Sequence, residues 1–495
     1  MNCLMGIDLG TSSVKVLITD EKGNLLGLGS AGYIVETPKP GYAQQDPVQW
    51  WEKTKQAVAA ALHEADVSPD RILSIGFSGQ MHGMVLLDAD KNVICPAIIH
   101  LDQRSAGQRA EILETAGDLV REELRNQPST GMLICSLLWV KENRPELYDK
   151  VSYVMSPKDY IRFRLTGIIS SEPADASATL AFSIKRGNWC RELIHRMGLK
   201  DDIWPDIFPS VRIVGTVTPH AAKETGLSVQ TIVAGGTGDC SAAFTGNGVV
   251  EEGTMACNIG TSSQLAVVVR TPKTDPGMVN QLWCHSMEGA FLYQGGALNG
   301  GGTLGWLKDK ILRTADSFEK LDLKAGGAPV GSGGVVFLPY LAGERTPFNN
   351  PDAKGVFFGL QLQHDDSHLI RAVLEGVMYN LAACKQYFDS MGFSQTKLIS
   401  SGGGARGAVW RQIQADMLGM PVYRTRTKEE ACLGAAMTGA VGAGLYPDIS
   451  SACREMVKMR EEVTEPIPEN TAFYREGLQK YMDLYEAVKD FYGRR

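Results

Sequence analysis

The sequence predicts an α/β protein of two similar domains with a ligand cleft between them. Three observations carry that prediction. The turn "DLGTSS" (Asp8 to Ser13) returns as "NIGTSS" (Asn258 to Ser263), 250 residues later. Strand-like runs alternate with segments whose apolar residues fall at three- and four-residue steps, in both halves of the chain. A length of 495 residues also exceeds what one hydrophobic core ordinarily serves.

Each copy of the turn sits in a strand–turn–strand setting. "MGID" approaches the first turn and "VKVLITD" leaves it as an alternating strand; "EKGN" turns again into "LLGLGSAGY". The second copy repeats the layout with "TMACN", "IGTSS" and "QLAVVVR". Gly-Thr-Ser-Ser is ordinary turn chemistry when met once. Met twice, each time at the entry to a β-meander, it reads as duplication. Between the copies, "DPVQWWEKTKQAVAAALHEA" predicts a helix with Asp46 as N-cap and proline in its first turn. "SLLWVKENRPELYDK" and "PKDYIRFRLTG" read as further helices. In the second half "SHLIRAVLEGVMYNLAACKQYFDSMG" predicts a long amphipathic helix, followed by "AVWRQIQADMLGMP" and the Ala- and Gly-rich "EEACLGAAMTGAVGAGL". The last allows close helix packing and reads as scaffold. A charged, glycine-containing join at Val249 to Met255 divides the chain into 1–248 and 249–450, and residues 451–495 read as a helical appendage on the second domain.

Composition narrows the function. Apolar content of 44% and charged content of 21% suit a folded soluble chain. A formal net charge of −7 argues against a broad nucleic-acid surface. No apolar run is long enough to span a bilayer. The opening "MNCLMGIDLGTSS" has no basic leader and is not read as a signal peptide. The ten cysteines are scattered singly, with no CxxC pair, which argues for reduced cytoplasmic thiols and against a zinc site. A homodimer is compatible with the sequence, which does not specify oligomeric state.

The 54 glycines cluster at "GGTGD" (235–239), "GGALNGGG" (295–302) and "SGGGARG" (401–407). Glycine lets a backbone turn its N–H groups toward phosphate oxygens. No Walker P-loop is present. Gly402, Gly404 and Gly407 satisfy the letters GxGxxG, but the acidic residue expected about 20 positions on is missing, and Arg424 and Arg426 stand nearby instead. A nicotinamide-dependent dehydrogenase is therefore a weak rival. Paired hairpin turns and a late glycine loop before a helix point to a nucleotide held between two lobes. Each turn supplies one jaw of a phosphate clamp, and the third loop meets the adenosine end. Asp8, ending the first strand, would lie near a phosphate-bound Mg²⁺, which takes one or two carboxylates besides phosphate and water.

These residues resemble the FGGY carbohydrate kinases of the actin-like ATPase superfamily, and among them most closely the xylulokinases. The resemblance runs from Met5 to about Leu445. "GIDLGTSSVK" and "NIGTSS" are similar to the two phosphate motifs of the family, "SGGGARGAVWRQIQADMLGMPV" to its C-terminal signature, "FLPYLAGERTPFNNPDAKGVFFGL" to a further block, and "GFSGQMHGMVLLD" to the xylulokinase sugar-site segment. It implies two actin-like (ribonuclease H-like) ATPase domains around a cleft, with ATP and Mg²⁺ as cofactors and a small sugar as substrate. It implies that Asp239, closing "GGTGD", is the general base on the sugar's primary hydroxyl. Met81, His82, Asp102 and Arg104, together with Asp239, would bind the ketose. Gly10, Thr11, Ser12, Gly260, Thr261, Gly403 and Gly404 would contact ATP, with Asp8 at the metal. Lys15 and Arg406 are candidate phosphate or nucleotide neighbours. The implied reaction is phosphorylation of D-xylulose to D-xylulose 5-phosphate.

Two departures from the resemblance bear on the sugar. Where many members have Trp in a W-x-D-x-R segment, this chain reads "HLDQR", His100 to Arg104. Where xylulokinases often place Asn after the catalytic aspartate, it has Cys240, which cannot reproduce an amide's paired donor and acceptor. Another ketose or a polyol is thus an alternative substrate. An actin-like module that hydrolyses ATP to drive partner binding is the alternative of another class.

Overall fold

The computed structural model describes residues 2–273, 275 and 277–493. The first lobe opens with an antiparallel meander, β1 (Cys3–Leu9), β2 (Ser13–Asp20) and β3 (Leu25–Gly32). Strand β4 (Ile72–Gly79) joins β1 in parallel, with Asp8 opposite Ser78. Strands β5 (Ile213–Thr216) and β6 (Ile232–Ala234) complete a sheet of order β5-β6-β4-β1-β2-β3. The crossover from β3 to β4 is helix α1 (Pro47–Ala65), and its start follows the expected signal. The Asp46 side chain accepts the Val48 N–H at 2.9 Å with Pro47 in the first turn. Such a cap contributes about 1 kcal/mol. The buried face of α1, Trp50, Ala57, Val58 and Ala61 among it, packs against β2 and β3.

The first half also holds α2 (Leu133–Asn143), α3 (Pro157–Thr166) and α4 (Pro173–Ser177), and β6 runs into α5 (Asp239–Gly246). The segment expected as one helix from Ser136 to Lys150 is broken. Residues Pro145–Tyr148 form a separate turn of helix, because Pro145 disfavours helical backbone at Arg144.

The second lobe contains β7 (Thr254–Ile259), β8 (Ser263–Val269), β9 (Gln281–Cys284), β10 (Phe291–Ala297), β11 (Lys397–Gly402) and β12 (Val422–Tyr423), in the order β9-β10-β8-β7-β11-β12. Leaving aside the edge strands β5 and β9, the two sheets share one plan. An antiparallel meander (β1-β2-β3; β7-β8-β10) is continued on its first strand by two parallel strands (β4, β6; β11, β12). The duplication read from six letters therefore extends through both sheets.

Helix α6 (Asp366–Ser390) is the long helix expected, begun by a capping box between Asp365 and His368. It is followed by α7 (Ala408–Leu418), α8 (Glu430–Gly442) and α9 (Pro468–Val488). Helix α9 packs on α6 and α7. Helix α8 crosses to the other lobe and lies on β1, β4 and α5. Its small residues allow this close approach. A Cβ on Gly6 would run into the carbonyl oxygen of Cys432, and one on Gly76 into that of Ala435. Among the described residues no helix is long and apolar enough to cross a membrane.

Candidate active site

Strands β1, β4 and β6 run parallel, so their carboxyl ends open on one edge of the sheet, where α/β folds seat ligands. The loops that leave there carry Asp8 and Gly10, Met81 and His82, and Asp239. They touch one another directly. Ser78 Oγ donates to Asp8 Oδ1 at 2.7 Å, and the Thr237 N–H donates to the Phe77 carbonyl at 2.8 Å. A Cβ on Gly238 would lie 2.9 Å from Met81 Sδ, so a glycine before Asp239 is what admits Met81 beside it.

Asp239 is the first residue of α5, and its Oδ1 accepts the Cys240 N–H at 2.7 Å. Burial, and then the negative charge of Asp8, push its pKa up to about 7. Asp8 is raised too, first by burial, with Ser78 and Lys15 pulling the other way. Two carboxylates that share one desolvated region resist joint ionisation, which is how a proton acceptor comes to be poised near neutrality.

His82 has a left-handed backbone, φ 73°, a conformation costing a residue with a side chain on the order of 1 kcal/mol. Its ring Nδ1 lies 2.7 Å from the Ala178 carbonyl and so carries the proton. Burial lowers its pKa to about 4, so the ring is neutral and Nε2 is an acceptor. The ring stands edge-on to Trp283 of β9 at 5.3 Å, a contact across the lobes.

The two repeated turns share a property that their letters do not display. In the first, the carbonyls are consumed: Gly10 O accepts from Tyr33 Oη, Thr11 O from Gln45 Nε2 at 2.8 Å, and Ser12 O from the Tyr33 N–H at 3.0 Å. In the second, Gly260 O accepts from Gly301 N at 2.7 Å and Thr261 O from Gly302 N at 3.1 Å. Among the described residues, the N–H groups and hydroxyls of Thr11, Ser12, Thr261 and Ser262 have no such partner. Both turns therefore present donors outward and bury acceptors, the polarity an anionic ligand requires. The glycine loop after β11 lies against the second turn: Gly402 pairs with Ile259, and a Cβ on Gly404 would lie 2.7 Å from Ile259 Cβ. Gly260, Thr261, Gly403 and Gly404 thus form one neighbourhood.

Other expected residues are committed elsewhere. Arg104 is paired with Asp102, Nη2 to Oδ2 at 2.7 Å, and lies over the ring of Tyr42 at 3.9 Å. Asp102 also accepts the Ala43 N–H at 2.6 Å. This buried pair shapes the loop that carries His100. Lys15 holds Glu429 at 2.7 Å, an ion pair between β2 and the residue preceding α8. Arg406 is exposed beside the glycine loop. Four participants were not singled out from the sequence. Ser78 and Trp283 stand in unremarkable local settings. Gly301 and Gly302 belong to a glycine cluster that was visible, and its position behind the second turn was not.

The comparisons agree with this geometry. Residues 3–246 match the N-terminal domain, and residues 255–443 the C-terminal domain, of the FGGY family of carbohydrate kinases. The chain belongs to that family. It is 33% identical to a xylulose kinase of Bacillus subtilis (strain 168), over 99% of this chain and 97% of that one. It is 29% identical to a gluconokinase of the same organism, over 99% and 96%. The crystal structure of a xylulose kinase from Rhodospirillum rubrum superposes with a TM-score of 0.93 at 28% identity, covering all of both chains.

Proposed function

We propose that this chain transfers the γ-phosphoryl group of ATP to the primary hydroxyl of D-xylulose, giving D-xylulose 5-phosphate. The observation that carries the reading is the carboxyl of Asp239, with a pKa of about 7, wedged against Met81 at the edge where Asp8 and the first turn also lie. Asp239 accepts the hydroxyl proton as the oxygen attacks phosphorus. A positioned base contributes a factor of about 10²–10⁴, and the rest comes from alignment and charge neutralisation. The outward donors of Thr11 and Ser12 and of Thr261 and Ser262 hold the triphosphate, with Gly10 and Gly260 opening the two turns beside it, and Gly403 and Gly404 line the adenosine end. Asp8 would hold Mg²⁺, which would offset phosphate charge when bound. Met81 packs on the sugar, and His82 accepts a hydrogen bond from a sugar hydroxyl through Nε2. Asp102 and Arg104 act by holding the His100 loop. We place the lobes at 1–248 and 249–450 with an appendage at 451–495, and the enzyme in the cytoplasm, where ATP is supplied.

The test is a panel of ketoses, polyols and aldonates with coupled detection of ADP. D-Xylulose is expected to have the highest kcat/KM. A higher value on another ketose or polyol would change the substrate, and sugar-independent ADP release would end the kinase reading. Gluconate is the second reading. The gluconokinase relative favours it.

A further inference from the structure

We propose that Arg345 is the second-lobe residue that grips the non-reacting end of the sugar, donating to the C2 carbonyl oxygen and an adjacent hydroxyl, so that the ketose itself ties the lobes together. This rests on the reading of Met81, His82 and Asp239 as the sugar site.

The residue lies in "GERTP", a stretch that the phosphate and base assignments leave unused. Its loop is held rigidly. The Gly343 carbonyl accepts from Asn299 Nδ2 at 2.9 Å, the Glu344 N–H donates to Asn350 O at 2.9 Å, and the Thr346 carbonyl accepts from Asn380 Nδ2 at 3.2 Å. Its guanidinium is exposed, and among the described residues no hydrogen bond or ion pair reaches it. The adjacent acid does not neutralise it. Glu344 is buried, its Oε1 accepts the Arg345 backbone N–H at 2.8 Å, and burial pushes its pKa up to about 8, so it is uncharged at neutral pH.

The direction of the guanidinium follows from β10. Alternate residues of a strand point to opposite faces. Gly295 faces the core, where a Cβ would lie 3.1 Å from Cys384 Sγ. Gln294 and Gly296 face the other way. Gln294 reaches the Cys240 thiol, next to Asp239, and a Cβ on Gly296 would lie 3.8 Å from an Nη of Arg345. The positive charge of Arg345 is felt at His82 and His100, both of which it helps to keep neutral. At Asp239 the charge that is felt is that of Asp8. The cation therefore lies at the sugar end of the cleft, away from the hydroxyl that reacts, and faces two imidazoles that do not compete for a substrate oxygen. A guanidinium presents paired donors to such oxygens.

The experiment uses the full chain with R345M and R345K, folding checked by circular dichroism. D-Xylulose KM and its calorimetric Kd without nucleotide are expected to rise about 10–100-fold in R345M, as for loss of a charge-assisted hydrogen bond. ATP KM should stay within a factor of about two and kcat should fall less than KM rises. R345K should recover part of the loss. The preference for D-xylulose over xylitol, which lacks the carbonyl, should shrink in R345M, a change that mere loosening of the loop would not produce. A wild-type KM and an unchanged preference in R345M would overturn the proposal, as would a large rise in ATP KM with sugar Kd intact. If the wild type phosphorylates no ketose, the underlying site reading fails first, and this inference falls with it.

Discussion

The two hairpin turns make the most instructive pair of regions in the molecule. The first has Asp8 on its entering strand, a turn of Gly10 to Thr11 to Ser12 closed by a hydrogen bond from Gly10 N to Ser13 O at 3.0 Å, and carbonyls held by Tyr33 and Gln45. The second has Asn258 in the place of Asp8 and a turn one residue shorter in its strand register, Ile259 facing Ser263 where Leu9 faces Val14. Its carbonyls are held by backbone N–H groups of Gly301 and Gly302. Different neighbours thus arrive at one result, acceptors consumed and donors free. What differs is charge. The first lobe keeps a carboxylate at the turn and a second, Asp239, beside it; the second lobe carries an amide. Duplication has preserved the device that orients donors, and under the proposed function the two halves divide the work, grip in both and acid–base chemistry in one.

The largest effect expected from breaking this asymmetry is at Asp239. Asp239→Ala should lower kcat by about 10²–10⁴-fold with the calorimetric Kd of the sugar nearly unchanged; near-normal turnover would show that the base lies elsewhere. Next, Asp8→Asn makes the first turn resemble the second. It should lower kcat about 10²-fold by the loss of a metal ligand and shift the Mg²⁺ dependence to higher concentration in a titration at saturating ATP. The reverse exchange, Asn258→Asp, sets a charge against the triphosphate and should raise ATP KM about 10-fold while sparing sugar KM. Gly301→Ala tests the brace behind the second turn. Its Cβ would lie 2.7 Å from the Gly260 carbonyl oxygen, displacing the donors, and ATP KM should rise more than D-xylulose KM.

The pH dependence is smaller in range and sharp in sign. As the proposed base, Asp239 would act only when ionised, so kcat/KM should rise with pH through about 7 and level off above it. The same group should weaken the fold. Its folded pKa is raised above the ordinary carboxylate value, so ionising it costs the folded state more than the unfolded chain. That cost grows from about pH 4 to about pH 7 and then stays constant. Asp239→Asn should therefore raise Tm by a few degrees at pH 8 and by less at pH 5, as calorimetry at the two pH values would report.

Much of the fold was legible because its signals are short-range. Asp46 and Pro47 announce α1 from within one turn, and the alternation in "VKVLITD" and "QLAVVVR" announces β2 and β8. The doubled turn announced two lobes. Other assignments depended on partners far away in the chain. Lys15 was read beside phosphate and is held by Glu429, more than 400 residues on. Arg104 was read near the sugar and is held between Asp102 and Tyr42. The Ala- and Gly-rich segment that became α8 showed that it packs closely, and only the fold showed that it does so on the other lobe.

Taken alone, the amino-acid sequence determined the elements, the repeated turns and the residue types able to take a proton or bind phosphate, since turn, cap and periodicity are decided by neighbours within a few residues. Tertiary structure decided which side chains are free to act. The parallel order of β1, β4 and β6 brought Asp8, Met81 and Asp239 to one edge, and the burial that follows set the proton affinity of Asp239. Desolvation and charge act through space, and no local run of letters encodes the distance between groups that are hundreds of residues apart.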